Sequence, residues 1–154
     1  MPNTYTQIYI QLVFAVSGRQ SLISLSFKET LYKYIGGTMR NAGQKLIAIN
    51  GMPDHVHILV GLKPNVAISS LVKDIKVASS RFINDKKLVR GRFSWQEGFG
   101  AFSYSHSHLS KVASYIENQE RHHARRSFRD EYLSMLKGFQ IEHDERYLFK
   151  WIES

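Results

Sequence analysis

The sequence contains no cysteine. Disulfides and thiolate metal centres are therefore excluded, and the composition suits a reducing compartment, so a cytoplasmic location is expected. No apolar run approaches the ~20 residues that a membrane-spanning helix needs. The opening MPNTYTQIYIQLVF lacks the basic start and small-residue cleavage site of a secretory leader. There is no repeat, no low-complexity segment and no P-loop, so no nucleotide cofactor is expected. Acidic residues are in short supply, 13 against 21 Lys plus Arg, for a net charge of +8. An excess of that size favours a polyanionic partner. No strongly basic amphipathic helix points to a membrane surface instead.

What is present is 154 residues that are 43% hydrophobic, enough for one domain over 1–154 with a core of its own. Residues 5–16 alternate. Ile8, Ile10, Leu12, Phe14 and Val16 share one face, and Tyr5, Gln7, Tyr9 and Gln11 the other, which predicts a strand. SGRQ then turns the chain. Phe27, Leu31, Tyr34, Ile35 and Met39 predict a helix from Ser26 to about Asn41, with Ser26 as N-cap and Glu29 completing a capping box. KLIAIN and HVHILVGL, joined at MPD, predict an antiparallel hairpin.

Ile68, Leu71, Val72, Ile75, Ala78 and Phe82 predict a second helix ending near Asn84. RFSWQ and AFSYS read as short strands around EGFG. A third helix is expected over about 107–121 and a fourth from Ser127 to just before Gly138, while QIEHDERYLF is ambiguous. The order β-α-β-β-α-β(-β) followed by helices predicts an α+β, ferredoxin-like (RRM-like) antiparallel sheet with two helices on one face. RNA-recognition domains share that layout, so the fold alone does not decide function.

The chemistry starts in GMPDHVHILV. In a strand, His55 and His57 point to the same face, roughly 7 Å apart, and two imidazoles at that spacing can converge on one metal ion. Val56, Ile58, Val60 and Leu62 fill the core from the other face, which leaves the histidines free to face outward. SYIENQERHH places Tyr115 and Gln119 one helical turn apart. His122 and Arg126 continue the line if the helix extends that far. If this helix lies over the histidine face, two imidazoles and an amide oxygen form a thiolate-free site suited to Mg2+ or Mn2+. Such an ion would act as a Lewis acid on a phosphodiester, and Tyr115 would be the nucleophile. Attack by a tyrosine conserves the bond energy as phosphotyrosine, so rejoining needs no ATP.

The series LVFAVSGR, INGMPDHVHILV, LVKDIKVASSRFI, FSWQEGFGAFSYS, YIENQERHH and SFRDEYLSMLKGFQIEHDERYLF resembles the single-tyrosine HUH transposases of bacterial insertion sequences and the related repeat-associated tyrosine transposases. The resemblance covers nearly the whole chain. It implies a ferredoxin-like core that acts on single-stranded DNA with hairpin ends, leaving a 5′-phosphotyrosine and a free 3′-hydroxyl before rejoining. It also implies that His55 and His57 are the HUH pair, Tyr115 the nucleophile and Gln119 the third metal ligand. A homodimer with shared active sites is implied as well; Gly98 and Gly100 are candidates for a pliant link to the tyrosine helix or for an ordinary turn.

For DNA contact, Lys73, Lys76, Arg81, His122 and Arg126 are the candidate residues, with Arg121 and Arg125 beside them. Phosphate contacts would add affinity without reading sequence. Trp95, Phe99 and Phe102 are candidates for base stacking or for the core. Two other readings stay open: a metal-dependent nuclease that uses water, and a non-catalytic RRM-like nucleic-acid binder.

Overall fold

The computed structural model describes residues 3–18 and 23–151. The end of the SGRQ turn, residues 19–20, lies outside them. The elements run β1 (Tyr9–Ala15), α1 (Lys28–Asn41), β2 (Lys45–Met52), β3 (His55–Gly61), α2 (Ile68–Asp85), β4 (Gly100–Tyr104), α3 (Leu109–Glu117), α4 (Gln119–His123) and α5 (Phe128–Gly138). The four strands form one antiparallel sheet in the order β2-β3-β1-β4, the ferredoxin-like arrangement expected from the element order.

Register sorts the side chains into two faces. Leu12 pairs with Ile58 and Phe14 with Val56, so β1 and β3 present one continuous apolar face, fully buried at all four positions. Leu31, Ile35 and Met39 of α1 and Leu71, Val72 and Ile75 of α2 belong to the same core. On the opposite face, Val13 pairs with His57 and Gln11 with Leu59. Leu59 and Ala48 pack there against Val112 and Ile116 of α3. The sheet is thus sandwiched between α1–α2 on one side and α3–α5 on the other.

Several local expectations change. β1 begins at Tyr9 rather than Tyr5, because its partners end there, at Gly61 and Tyr104. Ser26 does not cap α1. The N-cap is Phe27, without a side-chain cap bond, and Ser26 Oγ lies 2.7 Å from Ser24 Oγ instead. A tight turn, with Lys28 N–H bonded to Ser24 O at 3.1 Å, and burial of Phe27 set the start. RFSWQ is not a strand. Beyond Ala15 its partner has run out, leaving a single Val16–Trp95 bridge, and the Asn84 side chain clamps Phe93 through both backbone groups at 2.7 and 2.9 Å. α5 does start at Ser127, whose Oγ accepts from Asp130 N–H at 3.2 Å. The ambiguous tail makes a 3-10 turn at Glu145–Tyr147 and buries Phe149 against Tyr132.

Gly51, at the hairpin that carries both histidines, permits a close backbone approach. A Cβ there would strike the His55 carbonyl and stand 2.9 Å from Val56 Cα. Backbone cannot yield as a side-chain tip does. Gly51→Ala is therefore expected to destabilise the fold by about 3 kcal/mol, read as a lower denaturant midpoint at unchanged m-value.

Candidate active site

His55 and His57 share one face of β3, as their spacing requires, yet both are fully buried. The outward exposure expected for them fails because α3, α4 and α5 roof that face. His55 Nδ1–H donates to Asp54 Oδ1 at 2.7 Å, and His57 Nδ1–H donates to Gln11 Oε1 at 2.7 Å. Gln11 is itself oriented by donating from Nε2 to the Tyr104 hydroxyl at 2.9 Å. With both Nδ1 atoms committed as donors, the two Nε2 atoms are left to face the roof.

The expected third helix is interrupted. α3 ends at Glu117 and α4 begins at Gln119, with Asn118 between them at φ −99° and ψ 27°. Asn118 Nδ2 donates back to Ser114 O at 2.8 Å, a local bond that competes with helix continuation. Asn50 of β2 donates to Glu117 O at 3.0 Å and ties the break to the sheet. The interruption turns Gln119 fully inward, so that its Oε1 lies 3.1 Å from His55 Nε2. The half-buried Tyr115 ring stands edge-on to His57 at 6.3 Å and stacks on His122 at 4.3 Å. Arg126 Nη2 donates to Tyr115 Oη at 3.3 Å. The tyrosine thus reaches the histidine pair of its own chain.

Two residues absent from the expected site complete it. Glu131 of α5 is fully buried. Its Oε1 lies 2.9 Å from His57 Nε2, 3.1 Å from His123 Nε2 and 3.4 Å from His55 Nε2. Its Oε2 accepts from Tyr115 Oη–H and, at 3.1 Å, from Gln119 Nε2. His123 of α4 also approaches Gln119 Oε1 at 3.1 Å. Phe128, one turn before Glu131, stacks flat on the His55 ring at 3.9 Å and 4°. The readable signal for Glu131 was a lone carboxylate on the apolar stripe Phe128, Tyr132 and Leu136.

These contacts set the charge states. Burial alone would raise the Glu131 pKa, but hydrogen bonds from His123, His55 and His57 outweigh it and hold the carboxyl far below its ordinary range. Burial opposes charge on His55, yet Asp54 and Glu131 prevail and hold its pKa above the usual value. His57 lacks a carboxylate on Nδ1, and burial pulls it below. Burial, then Glu131, push the Tyr115 phenol up to about 12, against a smaller opposing pull from Arg126.

The ligand atoms of His55, His57, His123 and Glu131 lie within 4.8 Å of one another, so this buried group can hold a metal ion. The donor chemistry fits. With Nδ1–H donating to Asp54 and Gln11, Nε2 is the atom that His55 and His57 would turn to an ion, in place of the contact with Glu131, and the surrounding shell of Asp54, Gln11 and Tyr104 is of the kind that fixes ligating imidazoles.

The other expected site residues scatter. Lys73 and Arg81 are exposed on α2, across the sheet from Tyr115. Lys76 Nζ is committed to Gln96 O at 2.8 Å and Gly98 O at 2.7 Å, and it lies over the Phe14 ring. Trp95 packs edge-on to Phe14 and donates from Nε1 to Ser79. Phe102 is buried and Phe99 is packed against the core, so all three aromatics are core. Gly100 gives a close approach rather than a pliant link, since a Cβ there would meet the Tyr132 ring at 2.8 Å.

The profile described as "Transposase IS200 like" matches residues 4–119. The chain belongs to the IS200-like transposase family. The ISDra2 transposase TnpA of Deinococcus radiodurans is 26% identical over 118 residues, which cover 73% of this chain and 84% of that protein. A crystal structure from the same organism, of a protein described as a transposase, matches with a TM-score of 0.60 at 26% identity, over 76% of this chain and 94% of that one. A REP-associated tyrosine transposase solved with a REP hairpin shares the fold, with a TM-score of 0.60 at 17% identity over 79% and 72%. DNA transposition is therefore the general activity of this transposase. The family match ends at Gln119. It includes His55, His57 and Tyr115, whereas His123, Arg126 and Glu131 lie beyond it. Among the described residues of this transposase, no helix is long and apolar enough to cross a membrane.

Proposed function

We propose that this transposase cuts and rejoins single-stranded DNA at hairpin-bearing ends through a covalent tyrosine intermediate. The observation that carries the reading is the convergence, within one chain, of Tyr115 Oη and the Nε2 atoms of His55, His57 and His123 around the single carboxylate of Glu131. Tyr115 Oη attacks the phosphorus and the bond to the 3′ oxygen breaks. A 5′-phosphotyrosine forms, and the leaving oxygen takes up a proton to become a free 3′-hydroxyl. The phenolic proton is lost to solvent as the bond to phosphorus forms, and the Arg126 guanidinium, which already donates to Tyr115 Oη, stabilises the phenolate. Rejoining is the reverse, with a 3′-hydroxyl attacking the phosphotyrosine.

His55, His57 and Gln119 would hold a divalent metal ion, with His123 and Glu131 completing the donor set. Bound there, the ion would polarise the phosphodiester as a Lewis acid. Three imidazole nitrogens suit Mn2+ better than Mg2+, which prefers oxygen donors. Cleavage is therefore expected to run at least about tenfold faster in Mn2+ than in Mg2+ at equal concentration, measured as initial rates on one oligonucleotide.

The basic excess and the hairpin carried by the REP-associated neighbour support a DNA hairpin as partner. His122 and Arg126 sit beside the nucleophile, where they would meet the scissile strand. Lys73 and Arg81 would grip phosphates only where the DNA passes to the other face. A homodimer would then serve to hold two DNA ends together, because Tyr115 does not have to come from a partner.

The test is incubation of hairpin oligonucleotides bearing single-stranded flanks with the protein and Mn2+, followed by denaturing electrophoresis. A covalent protein–DNA adduct is expected. Cleavage without adduct would instead indicate a water-using nuclease, and binding without cleavage a nucleic-acid binder.

A further inference from the structure

Beside Tyr115, on the side away from His55, a cavity of about 290 Å³ opens between α3, α5 and the sheet. Its lining is mainly apolar, with Val112 and Met135 as floor. Tyr104 and Phe139 contribute aromatic walls and meet edge-to-face at 5.4 Å and 89°. Phe139 is 40% exposed, an unusual position for a phenylalanine on a helix end unless something covers it. Lys111 and Arg126 line the cavity as well, and no carboxylate does. Arg126 also holds the Tyr115 hydroxyl, so one guanidinium bridges the cavity and the nucleophile. The Tyr104 hydroxyl accepts from Gln11, which leaves its own hydrogen to donate to a polar edge.

A small apolar slot with aromatic walls, a cationic mouth and a nucleophile on its wall has the character of a nucleotide subsite. The volume suits one planar base and not a base pair. We infer that this cavity receives the unpaired nucleobase adjoining the phosphate that Tyr115 attacks, with Arg126 and Lys111 on the adjacent backbone. The inference rests on the strand-transfer reading above. The cavity's wall from Arg126 to Phe139 lies outside the residues of the family match.

Adducts are to be captured in Mn2+ from a pool of hairpin oligonucleotides with randomised single-stranded flanks. The cut junction is sequenced, and the best substrate is resynthesised with an abasic residue at each position next to the junction. In the wild type, loss of the base on one side is expected to slow adduct formation by about tenfold. In Phe139→Ala, checked for an unchanged melting temperature, the same abasic substitution is expected to cost less than about threefold, because base and ring act as a coupled pair. Equal losses in the two proteins, or no loss at either position, would overturn the subsite while leaving the tyrosine chemistry intact. If the wild type captures no adduct at all from the pool, the tyrosine chemistry itself fails and the subsite falls with it.

Discussion

Tyr115→Phe is expected to abolish the covalent protein–DNA adduct and to slow strand cleavage by on the order of 10⁴-fold or more, with DNA binding retained. The substitution removes one oxygen and little else. The ring can keep its stack on His122 at 4.3 Å and its edge contact with His57 at 6.3 Å. Glu131 Oε2 loses the phenol but keeps the Gln119 Nε2 donor at 3.1 Å, so no buried charge is stranded. Stability is accordingly expected within about 1 kcal/mol of wild type. The measurements are adduct yield on denaturing gels, binding by gel shift with the same hairpin oligonucleotide, and a thermal melt. A Tyr115→Phe protein that cleaves at the wild-type rate would make the phenol a packing group and hand the reaction to water.

The sheet was readable because each half of it obeys a period. Ile8 to Val16 alternate, and the two helices that cover the even face repeat every three to four residues. The second roof was harder to see, although traces of it were present. The face that carries His55 and His57 also carries Leu59, Val13 and Ala15, too apolar for a solvent face. Alternation showed which way the histidines point but not that they would be buried, since burial depends on where α3 to α5 dock.

Tyr115 and Gln119 were found through helical spacing, and both do face the histidines. Yet the chain between them breaks at Asn118, where side-chain bonding to the backbone overrides helix propensity. Glu131 was missed because an acid in the first turn of a helix is adequately explained by the helix dipole. Only its company on the apolar stripe of Phe128, Tyr132 and Leu136 marked it as buried. Lys76 shows the opposite error. On a helical wheel it reads as a free cation, whereas the loop after Trp95 folds back and takes two of its hydrogens for the Gln96 and Gly98 carbonyls.

Glu131→Gln keeps the volume of the side chain and removes the charge on which the site converges. In the metal-free protein at pH 7, it is expected to cost about 3 kcal/mol, since the imidazoles arranged around the carboxylate lose their anion in a buried setting. For a chain of this size, that corresponds to a fall of about 10 °C in melting temperature. The pH dependence identifies the cause. The folded-state pKa of Glu131 is depressed, so its stabilisation is fully present above the ordinary carboxylate pKa and is lost progressively as pH falls below it. His57, held neutral by burial, adds a loss in the same direction below its own ordinary pKa. His55, whose pKa is raised, works oppositely, and its contribution fades as pH rises past neutrality.

Wild-type stability should therefore drop steeply from about pH 4.5 downward. The slope in Glu131→Gln should be shallower there by one proton, about 1.4 kcal/mol per pH unit. Urea unfolding of the metal-free proteins from pH 7 to pH 3 measures both the offset and the slope. Mn2+ affinity, read by calorimetry, should fall by on the order of 10²-fold as a carboxylate donor becomes an amide. Parallel stability curves with unchanged metal affinity would mean that Glu131 only fills space beneath Tyr115. In that case the charge balancing His55 would have to come from Asp54 alone.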